Sequence, residues 1–129
     1  MTSFAMAALL VPEYDEAIGY FTEVIGLALV EDSDLGGGKR WVVLGGEDGG
    51  KLLLARATTD DQRAAIGNQV GGRVGWFLHT EDFERDHARM VAANVEFTDG
   101  PRHEPYGTVA VFNDRYGNRW DMIERRKAA

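Results

Sequence analysis

Hydrophobic and polar positions along this chain switch between two periods, and the switches outline a β-rich protein with two main helices. Phe4 to Val11 is an apolar run closed by Pro12, which predicts a buried strand. A helix then opens at Glu13 or Asp15, with Tyr14, Ile18, Phe21 and Ile25 on one face and Gly26 placed as its C-terminal cap. Leu27 to Glu31 reads as a strand and Asp32 to Lys39 as a glycine-rich connection. Arg40 to Leu44 and Lys51 to Ala55 read as a hairpin across GGEDGG. Ala57 to Gly72 is a linker whose composition permits a short helix around Asp60 to Ile66. A strand follows from Arg73 to Thr80. The next helix runs from Asp82 to about Ala93, with Phe83, His87, Met90 and Val91 at helical spacing. Val95 to Thr98 is a strand, Asp99 to Tyr106 a loop, and Tyr106 to Arg125 a hairpin that turns at Asn113, Asp114, Gly117 and Asn118.

This order of elements occurs twice. Arg40 to Arg56 superposes on Thr108 to Glu124 by a shift of 68 positions, which sets Trp41 on Val109, Val43 on Val111 and Lys51 on Arg119. Val11 to Asp32 matches Thr80 to Asp99 once one residue is dropped inside the helix. The chain is therefore read as an internal duplication of one βαβββ unit.

Strand alternation then sorts the chemistry. Trp120, Met122 and Glu124 share one face of the last strand, and Arg119, Asp121 and Ile123 share the other. Asp121 thus lies among apolar neighbours, where a carboxylate needs a partner, an ion or water. On the strand from Arg73 to Thr80, Gly75, Phe77 and His79 face one way. His79 and Asp121 are the catalytic candidates, and the pair has three readings. His79 is a general base oriented by Asp121; or the two are donors of a displaced metal site with His103 or Glu104 as a third; or they form a structural hydrogen bond. His103 and Tyr106 lie in a loop that suits ligand contact, with a plain surface loop as the alternative. Trp41 is either a pocket wall or part of the sheet–helix core. His87, beside Phe83 and Met90, reads as a partly buried or edge side chain.

Composition narrows the classes. The 129 residues suit one compact domain, with 44% hydrophobic and 27% charged residues and no cysteine. A net charge of -7 argues against nucleic acid as a partner. The one basic cluster, Arg125, Arg126 and Lys127, reads as a solvated terminus. The apolar N-terminal run lacks a basic flank and is too short for a signal core or a membrane span, so the cytoplasm is the expected setting. Gly36, Gly37 and Gly38 lack the downstream Lys-Ser/Thr pair of a phosphate loop and read as a turn.

With its repeated βαβββ unit, the passage YDEAIGYFTEVIGL and the ending VFNDRYGNRWDMIE, the chain resembles the vicinal oxygen chelate superfamily. That superfamily includes glyoxalase I, extradiol dioxygenases, fosfomycin-resistance enzymes and bleomycin-binding proteins. The resemblance implies an α+β fold in which two tandem βαβββ modules, about residues 1–56 and 73–125, place mixed sheets around a cup with helices outside. It also implies a homodimer. Four metal-ligand positions carry over as Met6, Leu53, Gly75 and Asp121, and only Asp121 can bind a hard divalent ion. No metal cofactor is therefore expected, with a divalent ion at a displaced site as the alternative. The expected ligand contacts are Met6, Trp41, Leu53, Phe77, His79, His103, Tyr106 and Asp121. The implied function is binding of a small molecule, as in bleomycin resistance proteins. A metal-dependent lyase, isomerase or dioxygenase is the alternative, and a dimeric assembly module without a pocket is a third reading.

Overall fold

The computed structural model describes residues 1–125, so Arg126 and Lys127 of the basic tail lie outside the described residues. The chain is α+β and divides into two compact units, one ending at Ile66 and the other beginning at Gly67. Each unit holds one βαβββ module.

The first module contains β1 (Ala7–Val11), α1 (Tyr14–Gly19) running on into a π-helical turn (Tyr20–Ile25), β2 (Ala28–Gly36), β3 (Lys39–Gly45) and β4 (Leu52–Arg56), followed by the short helix α2 (Asp60–Ala65). Its sheet order is β1-β4-β3-β2, with β1 parallel to β4 and the other pairs antiparallel. The second module repeats this as β5 (Val74–His79), α3 (Phe83–Ala92), β6 (Glu96–Glu104), β7 (Gly107–Asn113) and β8 (Arg119–Arg125), in the order β5-β8-β7-β6. The shift of 68 carries both ends of β2 onto β6 and both ends of β3 onto β7.

The residue dropped from the second helix has a structural form. Tyr14 opens α1 and Phe83 opens α3, a shift of 69, whereas Gly26 and Asn94, which close the two helical segments at φ 96° and 64°, differ by 68. The extra residue of the first copy is taken up in the π-helical turn, the usual form of a single insertion into a helix. Side chains cap the other helices: Thr59 accepts from the Gln62 amide at 3.1 Å, and Asp82 from the Arg85 amide at 3.0 Å.

Three expectations need correction. The first strand begins at Ala7, because no ladder partner precedes the Ala7–Leu52 pair, and Phe4 stands exposed. The segment Asp32 to Lys39 is mostly strand. Strand β2 pairs with β3 as far as Gly36–Lys39, and the chain reverses over Gly37 and Gly38, whose φ values of 64° and 83° are those of a tight hairpin turn. Likewise the segment Asp99 to Tyr106 is strand to Glu104, with only Pro105 and Tyr106 turning. Register shifts beside Thr98 and around Pro101 hid that strand, since bulges admit a proline and break the alternation.

In each module one sheet face is the core. In the first, Leu9, Val11, Val42, Leu44, Leu52 and Leu54 are buried together with Tyr14, Ala17, Phe21 and Ile25 from the helical segment. In the second, one row crosses all four strands as Trp76, Trp120, Phe112 and Phe97. Successive ring centroids in that row lie 6.0, 5.9 and 5.6 Å apart, and His87 of α3 packs on Phe97 at 4.5 Å. The same row of the first module is Ala7, Leu52, Leu44 and Leu29. Each large side chain fully buried in these rows contributes on the order of 2 kcal/mol.

The two modules differ in the length of one ladder. Strands β7 and β8 pair at seven positions, from Gly107–Arg125 to Asn113–Arg119. Strands β3 and β4 pair only from Leu44–Leu52 to Val42–Leu54, although both strands continue beyond Val42 and Leu54. There the Tyr14 hydroxyl accepts the Arg40 amide hydrogen at 3.2 Å, standing in for a ladder carbonyl. The residue at that place in the second module is Phe83, which has no hydroxyl, and its ladder is closed.

Candidate functional site

Where β3 and β4 part, a crevice of about 390 Å³ opens in the first module. Trp41, Leu10 and Leu53 supply its apolar wall, and Lys39, Arg40 and Arg56 its charge. The two arginines bracket the Tyr14 ring, with guanidinium carbons 5.2 and 5.5 Å from its centroid. Arg40 is held by Asp32 at 2.6 Å and Asp15 at 2.8 Å. Hydrogen bonding to Arg40 holds the Asp32 carboxyl below the usual carboxylate range, and Asp32 and Asp15 in turn push the Arg40 pKa up. Of the residues singled out by sequence, Trp41 and Leu53 therefore meet here. Met6 stands one residue before β1 and does not line this crevice.

The second module presents a different surface on the sheet face away from its aromatic row. Asp121 lies between Phe77 on β5 and Val111 on β7, and Asp99 on β6 extends the row. Asp121 is half-buried and among the described residues makes no hydrogen bond, while the Phe77 ring is 68% exposed. Burial pushes the Asp121 carboxyl up, Arg102 opposes this and Asp99 adds to it. Arg102 is itself held between Asp99 at 3.1 Å and Glu104 at 2.6 Å.

His79 does not join Asp121. It pairs in register with Ile123, two residue pairs beyond the Phe77–Asp121 pair, and no hydrogen bond links His79 to Asp121 among the described residues. His79 instead lines a broad groove of about 930 Å³ with Thr80, Asp82, Arg85, Glu124 and Arg125. Glu124 is occupied there in accepting the Phe83 amide hydrogen at 2.8 Å. His103 sits opposite Thr108, on the other sheet face from Asp121, with Nδ1 3.1 Å from the threonine hydroxyl. Tyr106 is exposed in the β6–β7 turn.

The four positions that carry over from the superfamily do not fit a divalent metal ion. Sheet register makes Leu53 and Asp121 equivalent on their last strands, opposite Val43 and Val111, and Met6 and Gly75 each stand one residue before the equivalent pairs Ala7–Leu52 and Trp76–Trp120. Only one of the four carries a donor, and among the described residues no three His, Cys, Asp or Glu side chains form a group that could hold an ion. Sequence reasoning missed Tyr14, Lys39, Arg40 and Arg56. The signal was there: the internal alignment pairs Tyr14 with Phe83, a difference of one hydroxyl.

Residues 3–122 match the model of the Glyoxalase/Bleomycin resistance protein/Dioxygenase superfamily. The chain belongs to this superfamily. A protein of Shewanella frigidimarina described as uncharacterized is 46% identical over 125 residues, covering 95% of this chain and 93% of that one. Bacillus subtilis YurT is 26% identical, covering 93% and 97%. Among solved structures of the superfamily's fold, the chain is similar to TnmS3, an antibiotic binding protein from Streptomyces sp. CB03234, at 25% identity and TM-score 0.67, covering 98% of this chain and 99% of TnmS3. A glyoxalase/bleomycin resistance protein from the same Streptomyces is 27% identical with TM-score 0.64, covering 92% and 99%. Superfamily membership accounts for the duplicated modules, and among the described residues no helix is long and apolar enough to cross a membrane.

Proposed function

We propose that this superfamily member binds a small organic molecule with a flat apolar body and does so without a resident divalent ion. The observation that carries the reading is the crevice between β3 and β4, where Trp41, Leu10 and Leu53 line about 390 Å³, within the range of small-molecule sites. The likeness to an antibiotic binding protein supports it, and bleomycin-like resistance by sequestration is the form of the function that it favours. Phe77 and Asp121 offer a second contact surface, a bare ring beside an unpaired carboxyl. The same reading takes the protein as a cytoplasmic homodimer, on the strength of the resemblance.

The test is isothermal titration of protein purified without chelator, using bleomycin and a tetracycline as probes, with metal content measured on the same sample. Saturable binding that persists in chelator and is lost in Trp41→Ala is the expected result. Near-stoichiometric zinc, nickel, manganese or iron that disappears in Asp121→Ala would overturn the proposal in favour of a metal-dependent enzyme.

A further inference from the structure

The crevice differs in charge from the chain that contains it. The chain has 21 acidic against 14 basic side chains, yet Lys39, Arg40 and Arg56 line this space and no carboxylate does. The groove beside His79, by comparison, mixes Glu81, Asp82 and Glu124 with Arg85 and Arg125.

The three cations are not equally engaged. Arg40 carries two carboxylate partners, Asp32 and Asp15. Arg56 has only Glu13, at 4.0 Å and itself 69% exposed, a contact of little energetic weight in water. Its guanidinium is held in place by the Tyr14 ring and by close packing over Gly38, where an added Cβ would lie 3.1 Å from Nη2. It donates no hydrogen bond among the described residues. A guanidinium fixed by stacking keeps its forked N–H groups for a planar anion. Lys39, in the first position of β3, has no ion pair among the described residues.

We propose that the crevice takes an organic anion, with an aromatic carboxylate as its ligand class. The carboxylate is received by Arg56 and Lys39, and the ring lies against Trp41 and Leu53. This rests on the small-molecule reading above and adds the charge of the ligand. Selectivity follows from composition: an ammonium in the same position meets three cations, and a neutral isostere leaves the Arg56 donors without a charged acceptor.

Three probes of one shape separate the possibilities: 1-naphthoate, 1-naphthalenemethanol and 1-naphthylmethylamine, titrated into isotopically labelled full-length protein and followed by amide shifts at Lys39–Trp41 and Ala55–Arg56. Naphthoate is expected to bind at least about tenfold more tightly than the alcohol, as one charge-assisted hydrogen bond implies. The amine is expected to bind most weakly. Arg56→Gln and Lys39→Gln should each remove most of that preference, and the dispersed amide spectrum of each variant shows that it is folded. Arg56→Lys should restore part of it. Equal affinity for naphthoate and alcohol, or a preference that survives both substitutions, overturns the charge assignment and leaves the small-molecule reading intact. No shift at these amides with any probe overturns both.

Discussion

The β7–β8 turn permits a sharp test of what holds the second module together. Asp114 is only 5% exposed, and its carboxylate accepts four hydrogen bonds: from the Tyr116 and Asn118 amides at 2.9 and 3.0 Å, from Asn118 Nδ2 at 2.9 Å and from the Trp120 indole at 3.0 Å. Asp114→Asn keeps the shape and the two bonds at Oδ1 but turns a donor toward the two groups that met Oδ2. Asn118 can relieve half of this by flipping its amide, since its own Oδ1 is buried without a partner. Trp120, 4% exposed, has no such freedom, and its N–H is left facing another N–H. One buried donor unsatisfied costs about 1–3 kcal/mol, and the flip only exchanges one unpaired atom of Asn118 for another, so the loss should be roughly 1–3 kcal/mol. That is a large part of the stability of a domain of this size, about 5–15 kcal/mol. Guanidinium unfolding of the two proteins measures it, with the indole N–H proton resonance of Trp120 reporting the lost bond. A loss below about 1 kcal/mol with that resonance unmoved would refute the argument.

The remaining predictions concern one group each. Tyr14→Phe should cost about 1 kcal/mol and speed hydrogen exchange at the Arg40 amide, which loses its acceptor; unchanged stability and exchange would mean that the hydroxyl does not hold the strands apart. Asp121→Asn should be more stable than the parent at pH 7. Burial raises the folded-state pKa of Asp121 above that of an ordinary aspartate, so the folded state binds the proton more strongly and stability falls as pH rises from the ordinary value through the folded one. The gain in Tm at neutral pH should shrink as pH falls and vanish once the carboxyl is protonated in both states, and a gain independent of pH would defeat the explanation.

Topology was legible because each module has to bury a sheet face under a helix, and that demand writes the same apolar spacing twice. The faces of β5 and β8 followed from alternation alone, whereas the pairing of Phe77 with Asp121 did not. The segments Asp32 to Lys39 and Asp99 to Tyr106 were not legible as strands, because glycines, a proline and bulges interrupt the period that marks a strand. Pairing between His79 and Asp121 failed for a related reason. Alternation fixes a face, whereas the partner opposite a residue depends on register, which places His79 at Ile123. The crevice escaped notice because its opening depends on one hydroxyl that meets a backbone amide 26 positions along the chain.

The unequal ladders have a bearing on how such a molecule can change. Seven paired positions tie β7 to β8, so most substitutions along that hairpin disturb a neighbour across it. Beyond Val42 and Leu54, β3 and β4 keep their outer neighbours β2 and β1 but no longer pair with each other, so Lys39, Trp41, Ala55 and Arg56 can vary in size and charge without disturbing a partner across that gap. Relatives built on this plan should therefore diverge first at those four positions, where a new chemical preference is gained at little risk to the scaffold.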